Sequence, residues 1–294
     1  MTARAEPIFD SGNALGESPL WDGARGALYW VDCLARELLR ATPTGPAIER
    51  WPLSGQPGCV VPRHDGRLLI AYRNGLGLFD PVTGELSSLT VSGVDFARER
   101  FNDGKCDPQG RFWVGTMDRE LRNPVATVYR LKPGSDAGRA EFERSAIGGL
   151  TLSNGIAWSP DGQAMYVCDS RPGALLRFDY DPDSATPSGR RVLVDFADSP
   201  GRPDGCAMDA EGGLWVAEFN AGRVGRYDVQ GRLDIIIDLP VSRPTSVAFG
   251  GTAMQTLFIT SMSEGTDPAR EPLAGCVFAV EPGVRGLPAS RHAN

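Results

Sequence analysis

The chain predicts an all-β fold, a six-bladed β-propeller of four-stranded antiparallel blades. Three observations lead there. An apolar strand core recurs six times, glycine marks tight turns between short strands, and no segment sustains a 3.6-residue apolar period beyond two turns. The recurring cores are LYWV (28–31), LLIAY (68–72), RFWVGT (111–116), MYVCD (165–169), LWVAE (214–218) and LFITS (257–261), usually after a turn such as HDG, DPQG, SPDG or DAEG. Taking Trp30, Ile70, Trp113, Tyr166, Trp215 and Phe258 as landmarks gives spacings of 40, 43, 53, 49 and 43 residues. That spacing fits one four-stranded blade per repeat.

Taken in chain order, an opening IFD strand (8–10) is expected to pair with the sixth blade, so that both termini close the ring and remove its exposed edges. GVDFARER (93–100) is the best helical candidate, a short stretch between blades. The two long intervals place their extra residues in surface loops at 132–150 and 181–190. The fifth repeat, 204–238, shows the unit most clearly. GCAMD alternates, AEGG turns, LWVAEF returns, NAG turns, GRVGRYD runs out, VQG turns and RLDIIID closes. Glycine serves these turns because they commonly need positive φ, and a preceding Asp or Asn can bond its own backbone. Pro57, Pro200, Pro203, Pro240 and Pro244 fall between blades, where no ladder donor is lost. One domain is expected over 1–294.

Composition narrows the function. The chain has 30 basic and 37 acidic residues, a net charge of −7, and no run of five like charges. Nucleic acid is therefore not an expected partner. The amino terminus lacks the run of about seven to fifteen apolar residues of a signal peptide, and no run of about eighteen apolar residues occurs, so a cytoplasmic protein without membrane contact is expected. Six widely spaced cysteines form no CxxC pair and read as buried small hydrophobes. The only histidines are His64, in the turn RHDGR, and His292 near the end. Neither is placed for a triad or a histidine zinc centre. Trp30, Trp113 and Trp215 align in the repeat and read as blade packing.

In a propeller the first strand of each blade lines the central channel, and the residue opening it lies at the mouth. Eleven to thirteen residues before the landmarks stand Glu17, Asn102, Asn154, Asp204 and Thr245. Their contexts GESP, FNDG, SNG and PDG each read as a polar residue in a turn just before an inward strand. Oxygen donors without His or Cys describe a hard-cation site, calcium first, with magnesium, manganese, zinc or ferrous iron as alternatives. Asn-Gly and Asp-Gly can instead be turn chemistry alone, but a glutamate in LGESPLWD has little turn value.

LGESPLWD, RFNDGKCDPQGRFWVGTM, SNGIAWSPDG and RPDGCAMDAEGGLWVA, in this order, resemble the gluconolactonase family that includes senescence marker protein (regucalcin), as does the tail AVEPGVRGLP. The resemblance spans essentially the whole chain. It implies a six-bladed propeller that hydrolyses sugar lactones with one divalent metal. By motif match, Glu17, Asn154 and Asp204 would be the metal ligands, and Arg100, Asn102 and Glu120 would hold the sugar. Asp118 and Arg119 differ from what the family places before that glutamate.

Opening a lactone needs water to attack the ring carbonyl while charge develops on its oxygen. A three-ligand metal leaves room for Lewis-acid help, and Asp204 could accept the water's proton as general base. The substrates expected are small aldonolactones such as glucono-, xylono- or arabinonolactone, with no protein partner. Arg100 has the plainer reading of a solvated loop charge. Three alternatives stand beside the lactonase: a non-enzymatic calcium-binding regulator, a propeller hydrolase of other esters, and a protein-binding scaffold propeller. The last is weak, because the lone WD pair (Trp21-Asp22) precedes a turn.

Overall fold

The computed structural model describes residues 2–293 except 44, 46 and 135–137. Among these the chain is all strand and turn, with no helix. β1 (Thr2–Arg4) and β2 (Glu6–Phe9) open it. β3 (Gly16–Asp22), β4 (Ala27–Asp32), β5 (Glu37–Ala41) and β6 (Glu49–Pro52) form an antiparallel sheet of four.

β7 (Pro57–Pro62), β8 (Leu68–Tyr72), β9 (Gly75–Phe79) and β10 (Leu86–Ser92) share a sheet of eight with β11 (Glu99–Cys106), β12 (Phe112–Asp118), β13 (Ala126–Leu131) and β14 (Arg139–Leu150). The two halves join at their outer edges, where residues 90–92 pair in parallel with 139–141. β15 (Ser153–Trp158), β16 (Ala164–Asp169), β17 (Ala174–Asp181) and β18 (Thr186–Asp195) form another sheet of four. β19 (Arg202–Met208), β20 (Leu214–Phe219), β21 (Arg223–Tyr227) and β22 (Leu233–Asp238) take β1 as a parallel fifth strand. Finally, β23 (Pro244–Gly250), β24 (Thr256–Ser261) and β25 (Val277–Val280) are completed by β2, antiparallel to β25. The opening strand thus pairs with the last segment of the chain, as expected. β1 adds a second tie that the sequence pattern had not suggested.

The strands β3, β7, β11, β15, β19 and β23 pack against one another in that order, and β23 packs back on β3. Their amino-terminal ends, at Gly16, Pro57, Glu99, Ser153, Arg202 and Pro244, share one end of the enclosed space. The tail crosses the other end. Leu287 N bonds Met208 O at 3.3 Å, His292 N bonds Pro62 O at 2.7 Å, and Ala293 N bonds Gly110 O at 2.9 Å. The apolar core lies between neighbouring sheets. One cluster, for example, joins Trp215 and Ala217 to Val247, Phe249, Ile259 and Phe278. Trp30, Trp113 and Trp215 are fully buried in such clusters, as packing residues. The six cysteines are free and buried.

Two expectations need correction. The stretches 132–150 and 181–190 are not surface loops: Arg139–Leu150 and Thr186–Asp195 are long outer strands, and residues 135–137 lie outside the described residues. Thr186–Asp195 is largely solvent-exposed and carries little apolar alternation, whereas Arg139–Leu150 buries Ala140, Phe142, Ile147 and Leu150 at uneven spacing between exposed polar residues. Their order comes from ladder bonds to β13 and β17. GVDFARER makes a single turn, with Glu99 N bonded to Asp95 O at 3.1 Å, and then enters β11. It is too short to propagate a helix.

Candidate functional site

The inner strands share a local device. Each carries a β-bulge near its amino-terminal end: between Glu17 and Leu20, Pro57 and Cys59, Phe101 and Gly104, Asn154 and Ile156, Pro203 and Cys206, and Pro244 and Ser246. Glu17, Asn102, Asn154, Asp204 and Thr245 sit at these bulges. They are therefore inside paired strands, not in turns ahead of them as their Asn-Gly and Asp-Gly contexts suggested. A bulge adds a residue, bends the strand and re-aims the side chain, here toward the enclosed space.

Glu17, Arg100, Asn102 and Asn154 line one small cavity with Cys33, Gln56 and Asp103. Its volume is about 30 Å³, room for one water or one ion. Asn154 Nδ2 donates to Ser170 Oγ at 2.8 Å, and Ser170 Oγ donates to Pro203 O at 2.6 Å. This fixes the amide so that its oxygen faces Asn102, whose Nδ2 donates to Asn154 Oδ1 at 2.6 Å and to Ser153 O at 3.0 Å. Both amide hydrogens of Asn102 are thus spent on β15, and its own oxygen is left to face a ligand.

Asp204 is buried beside this cavity, and its Oδ1 has no hydrogen-bond partner. The Glu17 carboxyl is held well above the usual range, first by burial and then by the charges of Asp204 and Asp103. Asp204 is raised for the same reasons, burial and then Asp103. Asp103 is raised by burial, against the opposing pull of Lys105. Three carboxyl groups therefore share a poorly solvated volume with one nearby ammonium, a distribution that a divalent cation would neutralise. Among the described residues no three His, Cys, Asp or Glu side chains converge as a metal-ligand group, and the Asn154 amide is a further oxygen donor lining the cavity. The orphaned Asp204 oxygen, the oriented amide and the buried Glu17 fit a hard cation.

Arg100 is not a solvated loop charge. Its guanidinium lines the cavity, Nη1 donates to Phe101 O at 3.1 Å, and the buried Nε has no partner. Burial pushes its pKa down to about 10, and the neighbouring cations Arg73 and Arg119 add to this. Glu120 lies apart. It is 66% exposed, 3.7 Å from Arg122, and does not line the cavity. The local reason is its place in the turn after β12, where Asp118 Oδ2 accepts the Arg122 and Asn123 N–H groups and fixes the turn outward. Thr245 is a buried structural bridge between β23 and β3, donating to Gly16 O at 2.5 Å.

The sequence pattern missed Asp103 and Ser170. Asp103 follows Asn102 in FNDG and was absorbed into a turn reading. The bulge brings both residues inward, and no regular period signals that. Ser170 could have been found only from pairing of β15 with β16.

The family model described as SMP-30/Gluconolactonase/LRE-like region matches residues 15–263, and the chain belongs to this family. It is 37% identical to a regucalcin of Danio rerio over 97% of each chain. It is 38% identical to a 6-deoxy-6-sulfogluconolactonase of Pseudomonas putida over 93% of each chain. Its backbone resembles the crystal structure of a calcium-binding regucalcin from Agrobacterium tumefaciens, with a TM-score of 0.90, 28% identity, and coverage of 99% of this chain and 98% of that one.

Proposed function

We propose that the protein is a metal-dependent sugar lactonase built as one six-bladed, four-stranded propeller over 1–294, with Glu17, Asn154 and Asp204 as cation ligands. The observation that carries the reading is the shared cavity of Glu17, Arg100, Asn102 and Asn154 beside the unpartnered Asp204 oxygen. Family relatives named as lactonases support the reaction class, and a relative described as calcium-binding supports calcium as the first candidate. A bound divalent cation supplies Lewis-acid polarisation of a carbonyl and a lowered pKa for water. Asp204 accepts the proton of the attacking water. General-base help of this kind contributes roughly 10²–10⁴-fold. Arg100 presents its buried, unpaired Nε to the substrate, and Asn102 presents an amide oxygen to a sugar hydroxyl. Ser170 and Asn102 hold Asn154 in its orientation. Glu120 reaches a sugar only from the rim. Six unpaired, buried cysteines support a cytoplasmic setting.

Glucono-, xylono- and arabinonolactone, assayed with a pH indicator after chelation and readdition of calcium, zinc, manganese, magnesium or ferrous iron, test the reading. Turnover that disappears on chelation and returns with one cation is expected. Asp204→Asn is expected to lower kcat by at least about 10²-fold with the fold retained. Full activity in Asp204→Asn would refute its role as base. The regucalcin relatives favour a second reading, a calcium-binding regulator without turnover. Calcium binding with no hydrolysis of any lactone would select it.

A further inference from the structure

Behind the small cavity the inner strands enclose a deeper space of about 300 Å³, and Asp103 lines both. Its walls are mostly apolar, and Lys105 is the one cation that lines it among the described residues. Lys105 stands on β11, two residues after Asp103. Its Nζ donates to Cys206 O at 2.7 Å on β19, although β15 packs between those two strands. The bond therefore crosses the enclosed space. Asp103 meanwhile faces the Gly155 and Ile156 N–H groups of β15, so β11 reaches the bulges of both strands that carry candidate ligands.

β19 is the inner edge of its sheet and pairs with β20 alone. Carbonyls on its free edge have no ladder partner and need another donor. Water would meet that need at less cost than an ammonium drawn out of bulk solvent with its rotamers fixed. What distinguishes Cys206 is its place, at the close of the bulge that carries Asp204. The two ligand-bearing bulges are secured differently. Asn154 is held by its own side chain, through Ser170 and Asn102. The Asp204 carboxyl has the adjacent Gly205 N–H as its only donor among the described residues, so its place follows from the backbone of the bulge. That backbone is confined on two flanks: a Cβ on Gly155 would stand 2.5 Å from Asp204 O, and one on Gly205 would stand 2.1 Å from Ser246 Oγ. Lys105 adds a third restraint, from across the space.

We propose that Lys105 is a positioning residue, which acts through the Cys206 carbonyl to hold the Asp204 bulge where its carboxylate meets a cation in the small cavity. The proposal rests on the reading of Asp204 as a cation ligand. Charge and position pull in opposite directions here. As a positive charge near Glu17, Asp103 and Asp204, Lys105 repels a divalent cation, so its removal would tighten calcium binding if charge were its whole effect. As a tether, its removal loosens Asp204 and weakens binding. The sign of the change separates the two.

Lys105→Met keeps the apolar stem and removes the ammonium. In calorimetric titration it is expected to bind calcium about 10–100-fold more weakly than wild type, the range typical when a group that orients a metal ligand is lost. Lys105→Arg, whose donors can reach the same carbonyl, recovers most of that loss. In metal-free protein, amide hydrogen exchange over residues 202–208 is expected to rise in Lys105→Met while that of the neighbouring inner strand, 244–250, does not, a contrast that a general loss of stability would not produce. Lys105→Gln, polar but too short to reach, repeats both measurements should Lys105→Met fail to fold. Unchanged or tighter calcium binding, or exchange that rises equally in the two strands, overturns the proposal. If wild-type protein binds none of calcium, zinc, manganese, magnesium or ferrous iron, the cation reading fails separately. Exchange then decides alone: a selective rise over 202–208 upholds the tether, and no selective rise removes it.

Discussion

Asp209 and Asp204 are buried carboxylates five residues apart with opposite surroundings. Asp209 Oδ1 accepts the Glu211 and Gly213 N–H groups at 2.9 and 2.8 Å, and Oδ2 accepts Trp215 Nε1 at 2.9 Å and Arg226 Nε at 2.7 Å. Asp107 repeats the pattern with Gln109, Arg111 and Trp113. Every lone pair has work in the fold, and such a carboxylate is structural. Asp204 has an oxygen with no partner at all, which a protein retains where a ligand is to supply one. Asp209→Ala is therefore expected to cost about 3–5 kcal/mol, because it strands a buried indole N–H and unbalances the buried Arg226 guanidinium. Urea unfolding checks this, and a loss below about 1 kcal/mol would show the network to be dispensable. The sequence showed DPQG and DAEG as turns and the tryptophans as packing. It did not show that each aspartate anchors the tryptophan six residues on, because that bond closes across a hairpin whose register only the folded sheet sets.

At the scale of the element, the bulges decide where function sits. Around the site, strand cores, turn glycines and the six-fold recurrence were all legible, because buried inner strands must be apolar and tight turns need glycine. The outer strand β18 was not legible, since mostly solvent-facing residues answer to no burial pattern, and β14 was not because its buried Ala140, Phe142, Ile147 and Leu150 fall at uneven spacing. Nor were the bulges, which depend on one strand having a residue more than its partner. Gly155 shows what they require. It follows Asn154, has φ of +41°, and a Cβ there would stand 2.5 Å from the Asp204 backbone oxygen and 2.6 Å from Cys168 Sγ. Only glycine allows β15 to curl so close to β19. Gly155→Ala is expected to destabilise by about 1–3 kcal/mol and to displace both candidate ligands, Asn154 and Asp204. Calorimetric titration with calcium would show weaker binding in this variant than in Gly162→Ala. Gly162 also has positive φ, +70°, but has its nearest neighbour at 3.8 Å and lies in a turn away from the site. Equal calcium affinities would detach the bulge from the site.

Across the whole molecule, part of the acidic excess is concentrated where folding alone does not favour it. Glu17, Asp103 and Asp204 all titrate above the ordinary carboxylate range, chiefly through burial. In chelator-treated protein the folded state therefore holds protons that the unfolded chain releases near pH 4. Folded-bound protons exceed unfolded-bound ones, so unfolding free energy falls as pH rises from that point through the raised folded values. Hydrogen-bonded carboxylates such as Asp118 and Asp161 act the other way, with lowered values whose stability is lost as pH falls below about 4. His292, lowered by burial, gives a further loss as pH falls below about 6.5. Subtracting one variant from wild type cancels these groups and isolates the site. Metal-free Asp204→Asn is expected to match wild type in stability near pH 4.5 and to exceed it at pH 8, where the buried wild-type carboxyl has to ionise without a counter-charge. Added calcium reverses the order at pH 8, because the wild-type carboxylate then has its counter-charge and the amide does not. Thermal unfolding of both proteins at the two pH values, with chelator and with calcium, measures all four terms. A difference that does not change with pH in chelator would mean that Asp204 is solvated and its burial carries no charge penalty. A calcium effect of the same size in both proteins would place the cation elsewhere.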